Sequence, residues 1–355
     1  MKFNKAALNL LVIIFVSAGI LSCTNQSNKN KENKHTGVEY YRNLQFSETP
    51  YDIEKGTHPI TADEAKKINS YKFTYDDQGR LLSVEYVRNN VLLGYSSMGA
   101  AKIVYVYDGN TQTKYYYNKD NEPTESAGVF ASQYTIDSEG NRIGLMFLGK
   151  DGAMIENRNK IHNWKWEKLP DGMVRETRYN LAGEEVVMNP FCPFYELRFT
   201  YNDKGYMTKM ANYKADTLYN CTAENCGDIG VSYFAFTPNE NGDVLNFEVF
   251  NVIGQMSNLY WGWSKRINKY DENGYVLETT YFDQDNEYVG GKQVPVTKYT
   301  YDEHGSLVES RSFDKDGNLI NNPSNGIAIT KYTYDEAGQR TETLNFDKDN
   351  APVKL

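Results

Sequence analysis

The stretch KYTYDEAGQRTETLNFDKDN at residues 331–350 is nearly a copy of KYTYDEHGSLVESRSFDKDG at residues 298–317. Both copies contain the pattern Tyr-Asp-x-x-Gly, and 12 residues after its tyrosine each has Phe-Asp-Lys-Asp. A segment of this size that recurs is one structural unit, and a single such unit cannot bury its apolar face alone. The two copies therefore predict a repeat protein.

The same pattern recurs along most of the chain. Five full copies and four degenerate ones begin at Tyr75, Tyr107, Ile136, Leu169, Tyr201, Phe236, Tyr270, Tyr301 and Tyr334. These nine anchors span 259 residues over eight intervals, a mean period of about 32. The sequence thus predicts one repeat domain of about nine units rather than two ordinary domains.

Each unit has the signature of a β-hairpin. The Asp-x-x-Gly and Asp-Gly or Asp-Asn stretches accept the positive φ that tight turns need. Between these turns the residues alternate, so Tyr299 and Tyr301 point to one face while Lys298 and Thr300 point to the other. With 29 Tyr and 16 Phe in the chain, stacked units would build an aromatic core. Glu278, Glu309 and Glu342 are expected to pair with lysines on neighbouring strands.

This motif resembles the YD repeats of the RHS family. The likeness extends over roughly residues 70–355 and is most specific in three copies, Tyr270–Gly274, Tyr301–Gly305 and Tyr334–Gly338. It implies an all-β fold, an elongated antiparallel β-hairpin array in the form of a strip or solenoid. The period is longer than that family's, and no toxin domain or core segment of a large RHS shell is visible, so a curved or spiral antiparallel strip is expected rather than a closed shell.

The N-terminus resembles a bacterial lipoprotein signal. Lys2 and Lys5 precede an apolar run at residues 6–20, and the sequence Ile-Leu-Ser-Cys then ends at Cys23. The resemblance implies a signal peptide over residues 1–22, cleavage before Cys23 and a lipid on its sulfur. The alternative is an ordinary cleaved signal with a chance cysteine. The lipoprotein reading predicts a bacterial cell-envelope location, at the outer membrane or the cell surface, with the membrane as a partner.

Residues 23–45 are predicted to be the lipidated cysteine and a flexible tether, and residues 46–355 a single β-repeat domain. The stretch ITADEAKKINS predicts a helix of two to three turns that begins with a Thr61 and Glu64 capping box and covers the open edge of the first repeat. Residues 1–45 carry a net charge of +4 and the whole chain −9, so residues 46–355 carry −13. This acidic body argues against nucleic acid as a partner.

Three cysteines remain besides Cys23. In an exported protein Cys221 and Cys226 form a candidate local disulfide and leave Cys192 over. Cys192 could equally pair with either of the other two, because spacing does not decide the connectivity.

All four tryptophans occur in two pairs, Trp164 with Trp166 and Trp261 with Trp263. A spacing of two puts both rings of a pair on one face of a strand. The pairs are candidate ligand-binding platforms for sugar rings, with Lys168 and Lys265 expected as polar neighbours on the same faces. The alternative is that the rings enlarge the aromatic core.

Nothing in the sequence points to catalysis, a metal or a cofactor. The Asp-x-Asp-Gly-Asn run from Asp314 looks like the start of a calcium loop, but hairpin-turn chemistry explains it fully. The sequence therefore predicts a non-catalytic binding or protein-interaction scaffold, with a protein or a polysaccharide as partner. The alternative is a carbohydrate-binding surface lipoprotein that uses the tryptophan pairs, and a glycan-active enzyme is third.

Overall fold

The computed structural model of the chain describes residues 35–45, 51, 53–94, 96–187, 196–219, 231–259, 261–291 and 293–354. Several predicted features lie outside the described residues: the signal peptide, the lipidation site Cys23, the candidate disulfide of Cys221 and Cys226, and Cys192. Within the described chain, no helix is long and apolar enough to cross a membrane.

The described chain forms one short helix and a sheet of 22 strands. The helix is α1 (Ala62–Ala65), and the strands are β1 (Gly37–Leu44), β2 (Gly56–Ile60), β3 (Ser70–Tyr75), β4 (Leu81–Arg88), β5 (Val91–Leu92), β6 (Lys102–Asp108), β7 (Thr111–Tyr117), β8 (Ala131–Ile136), β9 (Arg142–Leu148), β10 (Asn163–Lys168), β11 (Val174–Tyr179), β12 (Glu196–Tyr201), β13 (Met207–Lys214), β14 (Thr217–Leu218), β15 (Tyr233–Pro238), β16 (Val244–Phe250), β17 (Lys265–Tyr270), β18 (Val276–Phe282), β19 (Val296–Tyr301), β20 (Leu307–Phe313), β21 (Ile329–Tyr334) and β22 (Arg340–Phe346).

Every strand pair in this sheet is antiparallel, which confirms the predicted all-β hairpin array. From β3 onward, nine hairpins follow one another, and each predicted anchor lies at the end of a hairpin's first strand or directly after it. The strands of neighbouring hairpins pair with each other over only a few residues, for example where Glu309 lies opposite Lys331. The sheet is open, because β2 and β22 lie at its two ends and no described pairing joins them.

The Tyr-Asp-x-x-Gly turn is built by its aspartate. In the turn after β19, Asp302 Oδ1 accepts hydrogen bonds from the backbone N–H groups of His304 at 2.9 Å and Ser306 at 2.8 Å. Gly305 has φ +78°, a conformation that glycine adopts without strain. The second turn uses the same device, since Asp314 Oδ1 accepts from Asp316 N and Asn318 N. The turn interpretation of Asp314 is therefore confirmed.

The tyrosine of the motif links one hairpin to the preceding one. Tyr334 Oη donates to the carbonyl of Leu307 at 2.8 Å, where the second strand of the preceding hairpin begins. The same bond recurs in three other hairpins, from Tyr107 to Leu81 O, Tyr270 to Val244 O and Tyr301 to Val276 O. The ring fills the core while its hydroxyl satisfies a backbone carbonyl. This explains why tyrosine rather than phenylalanine stands at these four anchors.

One face of the sheet, here called the inner face, carries the core. Its most deeply buried rings include Phe73, Tyr134, Phe199 and Phe234, each at most 2% exposed. The chain between β1 and β2 also reaches this face, where the Glu54 carboxylate accepts hydrogen bonds from Lys114 Nζ and Tyr105 Oη. Residues on opposite sides of the coiled sheet thus share one interior.

Two boundaries differ from the sequence predictions. The sheet begins at Gly37, inside the stretch assigned to the tether, because residues 37–41 pair along β3 from Tyr75 to Tyr71. The predicted helix is only four residues long, although its capping box between Thr61 and Glu64 is present as expected. The chain leaves the helix after Ala65 because it must turn into β3, so α1 spans about one turn rather than two to three.

Candidate functional site

The sheet coils until its late turns meet its first strands. His58 on β2 hydrogen-bonds Asp243 in the turn between β15 and β16, with Nε2 2.9 Å from Oδ2. Asn43 Nδ2 on β1 donates to the carbonyl of Gly274 in the next turn, at 3.0 Å. We call this line of contacts the seam.

The seam continues along the next two turns. Asn69 N donates to His304 O at 2.9 Å, and its side-chain Nδ2 donates to Ser306 Oγ at 3.1 Å. In the last turn, Gln339 Nε2 donates to Leu92 O at 2.7 Å and its Oε1 accepts from Gly94 N at 3.0 Å. Four successive turns therefore hold residues 43–94 through specific polar contacts.

The glycine of the turn motif has a second role at the seam. A Cβ at Gly274 would lie 2.3 Å from His58 Nε2, and one at Gly338 would lie 2.2 Å from an Arg88 guanidinium nitrogen. Both glycines also have positive φ, +83° and +84°. Only glycine allows these turns to approach the first strands so closely.

A half-open cavity of about 310 Å³ lies along the seam. Its walls include the rings of five tyrosines, Tyr71, Tyr86, Tyr275, Tyr301 and Tyr334. Ligand pockets in proteins start at roughly 300 Å³ and combine aromatic walls with a few polar groups. The seam cavity meets this description at the small end of the range.

The polar side chains of the cavity are hydroxyls, amides and one guanidinium. Arg42 is the one charged residue among the residues that line it, and its guanidinium carbon lies 5.6 Å from the centre of the Tyr275 ring. Burial raises the pKa of Tyr86, so its hydroxyl stays neutral. No described residue hydrogen-bonds this hydroxyl, while the Tyr301 and Tyr334 hydroxyls are engaged with backbone carbonyls. Tyr86 and Arg42 are thus the groups best placed to bind a guest.

The first tryptophan pair lies on β10 and faces the interior. Trp164 and Trp166 meet edge to face with their centroids 6.0 Å apart. Trp166 is 4% exposed, and its Nε1 donates to Glu176 Oε2 at 2.8 Å. Trp164 packs against Phe147, with 6.2 Å between centroids. Both rings therefore contribute to the core cluster.

The second pair stands just before β17 rather than on it. Trp261 and Trp263 stack with centroids 4.8 Å apart, and Trp263 also meets Phe247 at 5.4 Å. Lys265 does not share their face, because the alternation of β17 starts after the pair, and it lies 3.5 Å from Glu248 on the opposite face. No described contact joins the two pairs. That the four tryptophans bind a ligand stays a prediction.

Within the described ranges, no group of three or more His, Cys, Asp or Glu side chains is placed to hold a metal ion. Sequence reasoning missed the seam cavity. The residues that follow the turn glycines and reach the first strands include Asp243, Tyr275, Ser306 and Gln339, which share no residue type. No pattern in the sequence marks them as a group.

The described chain is an all-antiparallel β-hairpin repeat array with a ligand-sized cavity where the coil meets its own start. No protein-family model matches the chain, and no curated protein matches it either. Solved structures with distant similarity include the crystal structure of TcdB2-TccC3-TEV, with TM-score 0.30, 9% identity, and cover of 85% of this chain and 16% of that one. This chain therefore spans about a sixth of that protein's length.

Two further similar structures come from Bacteroides. A porin-like protein from Bacteroides uniformis has TM-score 0.24 and 10% identity, with cover of 86% of this chain and 93% of that one. A protein of unknown function from Bacteroides caccae has TM-score 0.14 and 10% identity, with cover of 90% and 100%. All three TM-scores are below 0.5, so these similarities carry no argument about function.

Proposed function

We propose that the protein is a lipid-anchored, non-catalytic binding protein of the bacterial cell envelope whose seam cavity takes a small saccharide. The observation that carries the proposal is the cavity itself, about 310 Å³ lined by five tyrosine rings, with Arg42 as the one charged lining residue. Concave aromatic walls with a few oriented polar groups are the usual form of a small-molecule site.

A sugar suits this lining for two reasons. A pyranose ring presents an apolar C–H face, which packs against aromatic rings, and hydroxyls, which need hydrogen-bond partners. The Tyr86 hydroxyl can both donate and accept, and Arg42 donates. The lining holds no carboxylate, so a neutral or acidic sugar would meet no repulsion there.

The location rests on the N-terminal sequence. Cys23 follows the apolar run directly, as a lipidated cysteine would, and β1 begins 14 residues later at Gly37. Fourteen residues span at most about 50 Å when fully extended. A lipid on Cys23 would therefore hold the start of the sheet within about 50 Å of the membrane that carries the lipid, at the outer membrane or the cell surface.

The second candidate function is a protein-interaction scaffold. It is favoured by apolar side chains on the face opposite the core, where Val106 on β6 is 50% exposed and Tyr115 on the neighbouring β7 is 39% exposed. Apolar groups that lie together on a surface often mark a protein contact. A partner protein on this patch and a sugar in the seam could be bound at the same time.

The test is a binding titration of the full-length protein in detergent against a panel of mono- and disaccharides. Replacing Tyr86→Phe keeps the ring and removes one hydroxyl, so the dissociation constant is expected to rise by about five- to tenfold. Arg42→Gln should weaken acidic sugars most. Tyr332→Phe on β21 lies outside the cavity lining and serves as the control, expected to leave binding unchanged.

Two results would overturn the proposal. The first is that the wild-type protein binds no sugar of the panel. The second is that folded Tyr86→Phe and Arg42→Gln variants bind as tightly as the wild type while Trp164→Phe or Trp261→Phe loses binding, which would return the site to the tryptophan pairs.

A further inference from the structure

The outer face of the sheet, opposite the core, carries its own repeated unit in the last three hairpins. In each, a lysine ammonium from the first strand lies over a phenylalanine ring at the end of the second strand. The pairs are Lys265 over Phe282 at 6.0 Å, Lys298 over Phe313 at 5.1 Å and Lys331 over Phe346 at 5.6 Å. Each phenylalanine is the Phe of the Phe-Asp turn that recurs in the sequence.

These units are evenly spaced because each hairpin contributes two strands. Neighbouring strands lie about 4.8 Å apart, so equivalent positions in consecutive hairpins are about 10 Å apart. That distance is close to the length of a disaccharide in an extended polysaccharide. A chain laid across the strands would therefore meet one aromatic and cationic unit per disaccharide.

Charged triplets run beside the aromatic units. Glu278 lies 2.5 Å from Lys269 and 3.6 Å from Lys298, the latter on the next hairpin. Each glutamate of this kind stands between two cations, so each triplet carries a net charge of +1. The pairing of Glu278 with lysines, expected from the sequence, is present.

The next hairpin repeats the arrangement. Glu309 lies 2.6 Å from Arg311 and 3.8 Å from Lys331. Glu309 thus also has its expected lysine, whereas Glu342 on β22 has no ion pair among the described residues. The excess of cations stands out in a body whose net charge is −13, the chain total of −9 less the +4 of residues 1–45.

A groove of about 270 Å³ lies between two of these units. Phe282, Tyr288 and Phe313 provide its aromatic walls. The charged residues that line it are three lysines and two carboxylates, a net charge of +1: Lys269, Lys298, Lys315, Glu278 and Asp314. The rings of Phe282 and Tyr288 are 4.9 Å apart, and Tyr288 is 43% exposed. The groove is thus a concave, solvent-open site with both apolar faces and a net positive charge.

We infer that this outer groove binds an acidic polysaccharide that lies across the strands and carries about one acidic group per disaccharide. The aromatic rings take the apolar faces of the sugars, and the uncompensated cation of each triplet meets the acidic group. Because the lysine-over-phenylalanine unit recurs in three consecutive hairpins and the charged triplet in two of them, a longer chain engages several units, and its affinity rises with the number engaged. The inference concerns the opposite face from the seam cavity and does not depend on that site.

The experiment measures binding of the full-length protein in detergent to hyaluronan oligosaccharides of two to eight sugars, which carry one carboxylate per disaccharide. Neutral dextran and poly-glutamate are the comparison probes. The wild type should bind the hyaluronan series with affinity that rises with length and falls with salt. It should bind dextran and poly-glutamate at least tenfold more weakly.

Lys298→Gln removes the central cation of the groove and should weaken binding of the octasaccharide at least fivefold. Phe313→Leu removes the aromatic face and should weaken binding by at least as much. The matched control is Lys348→Gln, a turn lysine that pairs with Asp349 outside the groove, and it should leave binding unchanged. Tyr86→Phe in the seam should also leave it unchanged. The inference is overturned if the wild type binds none of the oligosaccharides, if poly-glutamate binds equally well, or if folded Lys298→Gln binds as tightly as the wild type.

Discussion

His58 and Asp243 are 185 positions apart in the sequence, yet His58 Nε2 lies 2.9 Å from Asp243 Oδ2 and both side chains are less than a tenth exposed. Asn239 Nδ2 donates to the same carboxylate oxygen at 2.9 Å. His58 also has φ +54°, unusual for a residue other than glycine. The surrounding seam therefore holds this histidine in a left-handed backbone conformation, and its side chain joins β2 to the late turns.

Replacing His58→Ala should lower the free energy of unfolding by about 1–3 kcal/mol, because it leaves the buried Asp243 carboxylate without one donor. The measurement is urea unfolding followed by tryptophan fluorescence. His35→Ala is the control, since His35 is half exposed and its contact with Glu39 should contribute less than about 1 kcal/mol. Equal losses in both variants would show that the seam contact adds nothing.

The tyrosine hydroxyls that link hairpins should have a measurable effect. Tyr334→Phe removes the bond to Leu307 O and should cost about 1 kcal/mol, because that part-buried carbonyl loses a donor. Tyr201 occupies the same motif position, but its hydroxyl is buried without a described partner. Tyr201→Phe should therefore be neutral or stabilising. Thermal melts of both variants check this, and a larger loss for Tyr201→Phe would contradict it.

The first tryptophan pair allows a matched comparison. Trp166→Phe breaks the hydrogen bond to Glu176 Oε2, while Trp164 Nε1 has no described partner to lose. Because both substitutions shrink a ring that packs against the core, Trp166→Phe should be the more destabilising by about 1–3 kcal/mol. Chemical denaturation of the two variants decides this. A loss for Trp164→Phe that matches or exceeds that for Trp166→Phe would refute the role given to Glu176.

The turn aspartates should make the stability of the fold depend on pH. Hydrogen bonds from the Asn318 side chain and backbone hold the pKa of Asp314 below its usual value of 3.8. A carboxylate whose folded pKa is depressed stabilises the fold fully above its unfolded pKa and loses that contribution as pH falls through the folded one. Asp314→Asn should therefore lose less stability than the wild type between about pH 6 and pH 2.5.

Melting temperatures at the two pH values measure this difference. Asp316→Asn is the control, because the contact described for the Asp316 side chain is with the exposed Lys315 ammonium. It should show the same loss on acidification as the wild type. If the Asp314→Asn variant loses as much stability on acidification as the wild type, the turn carboxylate is not the source of that loss.

The sequence predicted the hairpins well because their rules are local. Asp302 and Gly305 build a turn through contacts within five residues, and the alternation of Tyr299 and Tyr301 sets which face is buried. It placed Lys265 on the wrong face, because two tryptophans at a spacing of two also occur outside strands. It also assigned residues 37–44 to the tether, because their pairing partner, β3, lies about 30 residues further on.

The sequence by itself determined a nine-unit β-hairpin array with an aromatic face, since periodicity and turn chemistry are written within each unit. Only the tertiary structure decided that Asn69 meets Ser306, that Gln339 meets Leu92, and that a cavity lies between them. Which turn reaches which early strand depends on twist and curvature summed over many hairpins. No single unit encodes that sum, so the seam and its candidate ligand site are properties of the whole coil.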